Sequence, residues 1–180
     1  MKDYKMKVLI NVVHPNLESS SRVNKSLLNI IKNQPSITIN NLYEKYPDFK
    51  IDVKKEQELL LNHDVIIFQF PMYWLSSPAL LKEWFDVVLE YNFAYGENYK
   101  LENKIFSICT TAGGSLKEYS EHGGNKYSVE DFLKPFEGTA SYTKMNYKKP
   151  FIVYETFAIN DDNLDKEAKN YLSYINDLIK

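Results

Sequence analysis

The sequence predicts a doubly wound α/β fold, with a five-stranded parallel sheet in the order 2-1-3-4-5 and helices on both faces. Three observations carry that expectation. Apolar runs alternate with amphipathic stretches along the chain, the pattern of parallel strands joined by crossover helices. One run, DVIIFQF at residues 64–70, is almost wholly apolar, as befits a strand buried on both faces. The three stretches of oddest composition each follow an apolar run, where open α/β sheets bind ligands.

Each element follows in order. MKVLINVV, residues 6–13, is the first strand, and a polar loop, residues 14–20, follows it. RVNKSLLNIIKN, residues 22–33, repeats its apolar residues at helical spacing. ITINNL, residues 37–42, is a short second strand, and residues 43–52 are irregular. Asp52 is suited to cap a helix over residues 53–63. DVIIFQF is the third strand, and Pro78 opens a helix reaching about Tyr91. KIFSICTT, residues 104–111, is the fourth strand, ended by Ala112-Gly113-Gly114. Residues 128–136 read as a helix with irregular chain to about Lys149. FIVYETF, residues 151–157, is the fifth strand, and residues 161–180 form a closing helix. This alternation fits the flavodoxin-like version of the fold, which takes FMN at the switch point between strands one and three.

Bulk properties narrow the classes. A chain of 180 residues predicts a single domain over residues 1–180, large enough to bury roughly 70% of its extended surface. A formal charge of −2 gives no footprint for nucleic acid or an anionic membrane. The single cysteine, Cys109, sits in an apolar run and reads as a buried, inert thiol. MKDYKMKVLI is too short and too charged for a signal peptide, and no run of about 18 apolar residues exists. A cytoplasmic protein is expected, with any membrane role supplied by a partner.

The three loops carry the chemistry. HPNLESSSRVNK, residues 14–25, has no glycine, which excludes a GxGxxG fingerprint and a P-loop. Ser19, Ser20, Ser21 and Arg22 stand where a helix begins, so free N–H groups and hydroxyls would cradle a phosphate, with His14 as a further donor. The alternative is a routine serine cap beside a solvated arginine. In the second loop, Pro71 and Pro78 bracket Met72-Tyr73-Trp74-Leu75, a rigid aromatic turn suited to a flat, conjugated ligand. The alternative is a turn whose aromatics fill the core. In the third, TTAGGSLKEYSEHGG, small residues let N–H groups converge as an anion nest, and Tyr119 and His122 follow. His122 also reads as a solvent-exposed loop histidine, and His63 as a surface residue. No spacing resembles a metal site, and no serine sits at a nucleophile elbow.

Together these pieces resemble the NAD(P)H:quinone oxidoreductase family. The resemblance rests on His14 with its serine loop, QFPMYWLSSPALLKEWFDVV with its P-x-x-W-x-x-x-P motif, FAYG at residues 93–96, and TTAGG followed by His122. LYEKYPDFKIDVKKEQE, residues 42–58, is similar to the bacterial branch of potassium-efflux ancillary flavoproteins and general-stress NAD(P)H oxidoreductases. The resemblance runs from about Met6 into the closing helix. It implies a homodimer with flavin at the subunit interface, FMN in this branch and FAD in others. His14 and Ser21, Arg22, Val23 and Asn24 match the phosphate-side stretch; Pro71, Met72, Tyr73, Trp74 and Leu75 match the loop on one flavin edge. Thr110, Thr111, Ala112, Gly113 and Gly114 match the loop on the other, and His122 matches a histidine beside the flavin, with Tyr119 as a second donor. Tyr73 stands where glutamine is frequent, Leu75 where an aromatic is frequent, and Ala112 where glycine is usual.

The resemblance implies that NAD(P)H passes hydride through the flavin to a quinone in alternating, ping-pong turnover. Residues 42–58 also suggest an ancillary regulatory subunit docked at the inner face of the membrane on a potassium-efflux transporter. A one-electron carrier of the flavodoxin type is a third class. The weak net charge and the missing loop glycine argue against it.

Overall fold

A computed structural model describes residues 5–180; the first four, part of the charged stretch read above, lie outside the described residues. At its centre are β1 (Val8–Val12), β2 (Ile37–Asn41), β3 (Val65–Pro71) and β4 (Ile105–Thr111), all parallel. The fifth position is shared by two short strands, β5 (Asn146–Tyr147) and β6 (Phe151–Val153), which both pair with β4. The order is therefore 2-1-3-4-5, with a sixth strand as an extra piece. In β1 and β3 every residue is buried, which explains why the third run is nearly all apolar.

Helices cover both faces. On one lie α2 (Arg22–Ile31) and α8 (Asp161–Leu178), whose Leu27, Ile31, Tyr171 and Ile175 pack on Val8, Ile10, Val65 and Ile67. On the other lie α4 (Val53–Leu61), α5 (Ala79–Val88) and α7 (Lys134–Tyr142), packed on Leu9, Ile66, Phe68 and Phe106. The buried residues of α8 fall at Leu164, Ala168, Tyr171 and Ile175, the spacing of a single helical stripe. Asp52 caps α4 by accepting from the Lys55 N–H at 3.2 Å, and Asn160 caps α8 by accepting from Asn163 at 2.8 Å.

The differences from the sequence reading have local causes. Two four-residue helices, α1 (Leu17–Ser20) and α3 (Leu42–Lys45), fill stretches read as loop; they are too short to show a periodicity. The helix expected over residues 128–136 is two: α6 (Val129–Phe132), with a Ser128–Asp131 capping box, and α7, which restarts with Pro135 in its first turn and runs on to Tyr142. The fifth strand breaks because Pro150 has no N–H to offer β4. The Tyr174 hydroxyl of α8 donates to the Lys149 carbonyl at 2.7 Å beside the break. Beyond Val153 the chain turns: Glu155 adopts φ 55°, so only the first three residues of FIVYETF, read as a strand throughout, form one. His63 is not a surface residue. It is buried, its Nδ1 donating to the Leu59 carbonyl at 2.7 Å and its Nε2 lying 2.8 Å from Thr38 Oγ1. Cys109 is free and fully buried, and burial pushes its thiol pKa well up.

One polar cluster organises the α4–α5 face. Glu56 is completely buried, and its carboxyl accepts from three neutral donors: Asn40 Nδ2 at 2.8 Å, Tyr46 OH at 2.9 Å and Trp84 Nε1 at 2.9 Å. Asn40 also donates to Asn11 Oδ1 at 2.8 Å, tying β1 and β2 into the cluster. Tyr46 and Glu56 both come from residues 42–58, so that stretch builds core. Removing the carboxyl strands buried donors, each costing about 1–3 kcal/mol. Glu56→Ala is expected to lower stability by about 3 kcal/mol in urea unfolding, and Glu56→Gln, which keeps an acceptor, by clearly less. An unchanged urea midpoint in the alanine variant would remove the cluster from the account of stability.

Candidate functional site

Four chain reversals meet at the carboxyl edge of the sheet: those after β1, β3, β4 and β6. They enclose an open cleft of about 450 Å³. Ten residues expected from the sequence line it: His14, Ser21, Arg22, Val23, Asn24, Pro71, Met72, Tyr73, Thr111 and Gly113.

The first wall is the start of α2. Ser21 is its N-cap residue, and no side chain caps the helix. The N–H groups of Arg22, Val23 and Asn24 have no intrahelical acceptor, so a helix dipole and three donors serve whatever anion lies there. His14 is buried at the end of β1; its Nδ1 accepts from the Asn16 N–H at 3.1 Å, which leaves Nε2 as the donor. Arg22 is not simply solvated. Its guanidinium donates to the Ile159 carbonyl at 2.6 Å and forms an ion pair with Asp161.

A buried chain of amides fixes that wall. Gln69 Nε2 donates to the Asn24 backbone oxygen and to Asn24 Oδ1, both at 3.2 Å, while Asn24 Nδ2 donates to Thr111 Oγ1 at 3.1 Å. The start of α2 is thereby tied to the ends of β3 and β4. Gln69 was missed as a site residue, although a lone glutamine inside an apolar strand is a legible signal.

The second wall is the turn after β3. The Met72 N–H donates to the Thr111 carbonyl at 2.8 Å, and Tyr73 and Ser76 exchange backbone hydrogen bonds at 2.9 and 3.0 Å. Between them Trp74 and Leu75 take φ 48° and 62°, a left-handed pair in a two-residue turn. Neither fills the core: Trp74 is 99% exposed and Leu75 39%. Tyr73 faces the cleft, edge-on to His14 at 6.3 Å.

The third wall follows β4. Thr110 is buried, donating from Oγ1 to the Phe70 carbonyl at 3.0 Å, and Ala112 is buried in the core. Gly113 lines the cleft, whereas Gly114 lies against Glu118 and Tyr119. The Tyr119 ring packs between Phe132 and Tyr154, and burial, with help from Glu118, raises its phenol pKa. His122 is exposed, and Gly123 beside it is closed in by the Lys117 and Glu118 carbonyls. Trp74, Leu75, Thr110, Ala112, Gly114, Tyr119 and His122 thus lie outside the lining of the cleft in a single chain. Ser20, from the serine run expected to cradle a phosphate, lines it too, and so do Thr156 and Phe157, which were not singled out because they were hidden in an apparent strand. Among the described residues there is no cluster of three or more groups able to hold a metal, and no helix is long and apolar enough to cross a membrane.

A parallel 2-1-3-4-5 sheet with its cleft at the strand ends defines a class, the flavodoxin-like proteins. Residues 6–175 match the family model described as having the flavodoxin-like fold, and the chain belongs to that family. More particularly, it is 42% identical over 171 residues to the NAD(P)H oxidoreductase YrkL of Bacillus subtilis, covering 94% of this chain and 98% of that one. It is 44% identical over 149 residues to the potassium-efflux ancillary protein KefG of Cronobacter sakazakii, covering 82% and 80%. The structure of general stress protein 14 from Treponema denticola in complex with FMN superposes with a TM-score of 0.89 at 35% identity, over 96% of this chain and 99% of that one. An NADPH-quinone reductase from P. pentosaceus gives 0.87 at 33%, over 94% and 97%.

His14 supplies a pH test of the first wall. Burial lowers its pKa from the ordinary 6.5, against a smaller opposing contribution from backbone hydrogen bonding. The unfolded chain therefore takes up this proton at higher pH than the native one. The stabilisation is complete above 6.5 and falls as pH drops from there towards the lowered native value. His14→Asn keeps an acceptor for Asn16 and removes the titration. Denaturant unfolding at a series of pH values is expected to show a shallower acid loss in the variant; parallel curves would place the imidazole in solvent.

Proposed function

We propose that the protein is an FMN-dependent NAD(P)H:quinone oxidoreductase acting as a homodimer in the cytoplasm. One observation carries this reading: the uncapped start of α2 and the aromatic β3 turn face each other across one cleft. The donor set fits flavin mononucleotide. Three helix N–H groups, the Ser21 hydroxyl and His14 suit a phosphate without calling on a free arginine. Met72, Tyr73 and the Thr111–Gly113 backbone suit a flat ring system. The FMN carried by the Treponema denticola relative supports the choice.

Bound there, the flavin would supply the hydride relay that no side chain of this protein offers. The chain's own groups position and polarise. Asn24, held between Gln69 and Thr111, keeps the phosphate wall at a fixed height over the sheet. The N–H groups of Gly113 and Gly114 are the donors proposed for the flavin's polar edge, the Ala112 N–H being spent on the Val153 carbonyl at 2.8 Å, with Tyr119 and His122 beyond them. A single cleft serves donor and acceptor in turn, which is the physical basis for ping-pong turnover. The exposed Trp74, Tyr73 and Leu75 form an apolar rim suited to burial against a second copy, where Trp74 would complete the wall of the partner's cleft. Quinone as acceptor rests on the family resemblance and on the P. pentosaceus relative. The KefG relative favours a second role, docking on a potassium-efflux transporter, which co-purification with such a transporter would test.

The purified protein is expected to be yellow and to release FMN on denaturation. It should oxidise NADH or NADPH with a quinone as acceptor; a colourless protein that takes up no flavin would end this proposal. Asn24→Ala is expected to weaken FMN binding by about tenfold, some 1.4 kcal/mol. His122→Ala should retain flavin while losing turnover, by up to about 3 kcal/mol of barrier if it acts as an oxyanion-type donor. Stopped-flow reduction and reoxidation with unaltered rates would exclude His122 from the chemistry.

A further inference from the structure

Phe157 lines the cleft, is 94% exposed, and has no part in the functional reading above. The backbone that carries it is nevertheless fixed. The ring lies so close over Gly113 that a Cβ built there would fall 2.5 Å from Phe157 Cε2. The turn that carries it is clamped to the third wall: the Glu155 N–H donates to the Gly114 carbonyl at 3.0 Å, and the Thr156 N–H to the Ala112 carbonyl at 3.2 Å. Glu155 and Ile159 close it internally through a 2.9 Å backbone hydrogen bond. On its far side Arg22 reaches across from α2, donating to the Ile159 carbonyl and pairing with Asp161. An apolar ring thus stands on a rigid strap that shares a cleft with Ser20, Ser21 and Arg22.

That strap bears on how long a ligand the cleft admits. A mononucleotide ends at its phosphate, which the start of α2 can hold. A dinucleotide must leave that phosphate, carry a second one onward and find room for an adenosine. Beside the start of α2 it meets the Phe157 ring and the acidic first turn of α8, Asp161 and Asp162. The cation that lines the cleft, Arg22, is already committed to Asp161. The apolar ring offers a second anion no hydrogen bond, and Lys25, further along α2, is paired with Glu18.

We propose that Phe157, braced by the Arg22–Asp161 clamp, is a length filter that admits flavin mononucleotide and shuts out the adenylate half of FAD. The inference rests on the flavin reading above. The test is competitive exchange: purified protein is equilibrated with equimolar FMN and FAD, freed of unbound flavin, denatured, and its released flavin separated by chromatography. The wild type is expected to retain FMN over FAD by about a hundredfold, and Phe157→Ala to narrow that ratio by about tenfold. Asp161→Ala, which releases the Arg22 ion pair and leaves that edge of the guanidinium open to a second phosphate, should narrow it as well, and the double variant more than either. Far-UV circular dichroism establishes that each variant is folded. Equal retention of the two flavins by the wild type, or a ratio that neither variant moves, overturns the filter and leaves the flavin reading standing. Retention of neither flavin by the folded wild type defeats both.

Discussion

The buried amide chain from Gln69 through Asn24 to Thr111 is the contact on which the rest of the cleft depends. It joins one helix to two strands at the level where all of them end. Buried amides are held hard, because a missing partner leaves a desolvated dipole in the interior. The chain therefore fixes the height and tilt of α2 over the sheet. Through α2 it fixes the direction in which three unsatisfied N–H groups point. The Met72 N–H on the Thr111 carbonyl extends the same register to the aromatic turn. Two walls of the cleft share one anchor, and neither depends on the ordering of a long surface loop.

The fold was legible because it is written in period and composition. Strands buried on both faces must be apolar throughout, and β3 is; helices packed on one face must carry stripes, and α2 and α8 do. What escaped notice has physical reasons. A four-residue helix such as α1 has no period to detect. FIVYETF is rich in strand-forming residues, yet Glu155 turns left-handed where its own N–H meets the Gly114 carbonyl and that of Thr156 meets the Ala112 carbonyl. Those partners are remote in sequence. Phe157 was lost for the same reason, and it lies in the cleft only because the strand stops early.

The site residues divide along a similar line. His14, Ser21, Asn24, Met72, Tyr73, Thr111 and Gly113 were readable because each stands at the end of a strand or the start of a helix, which topology alone brings together. Tyr119 and His122 sit on a long excursion after β4, and neither reaches the lining of the cleft within one chain. The stretch at residues 42–58 carried a family signal whose physical content is now visible. Its Tyr46 and Glu56 satisfy a polar cluster in the core, far from any loop chemistry. A sequence pattern that marks a lineage can mark an interior solution as readily as a surface one.

The turn at Trp74 and Leu75 has an evolutionary corollary. Asparagine followed by glycine would settle into that shape with little effort, whereas two bulky side chains are held in left-handed backbone against a preference of about 1–2 kcal/mol each. Heat-selected libraries should find easy improvements at these two positions. Those same improvements would erase the indole and the isobutyl group that the hairpin tip displays, so ruggedness and usefulness diverge at this one corner of the molecule.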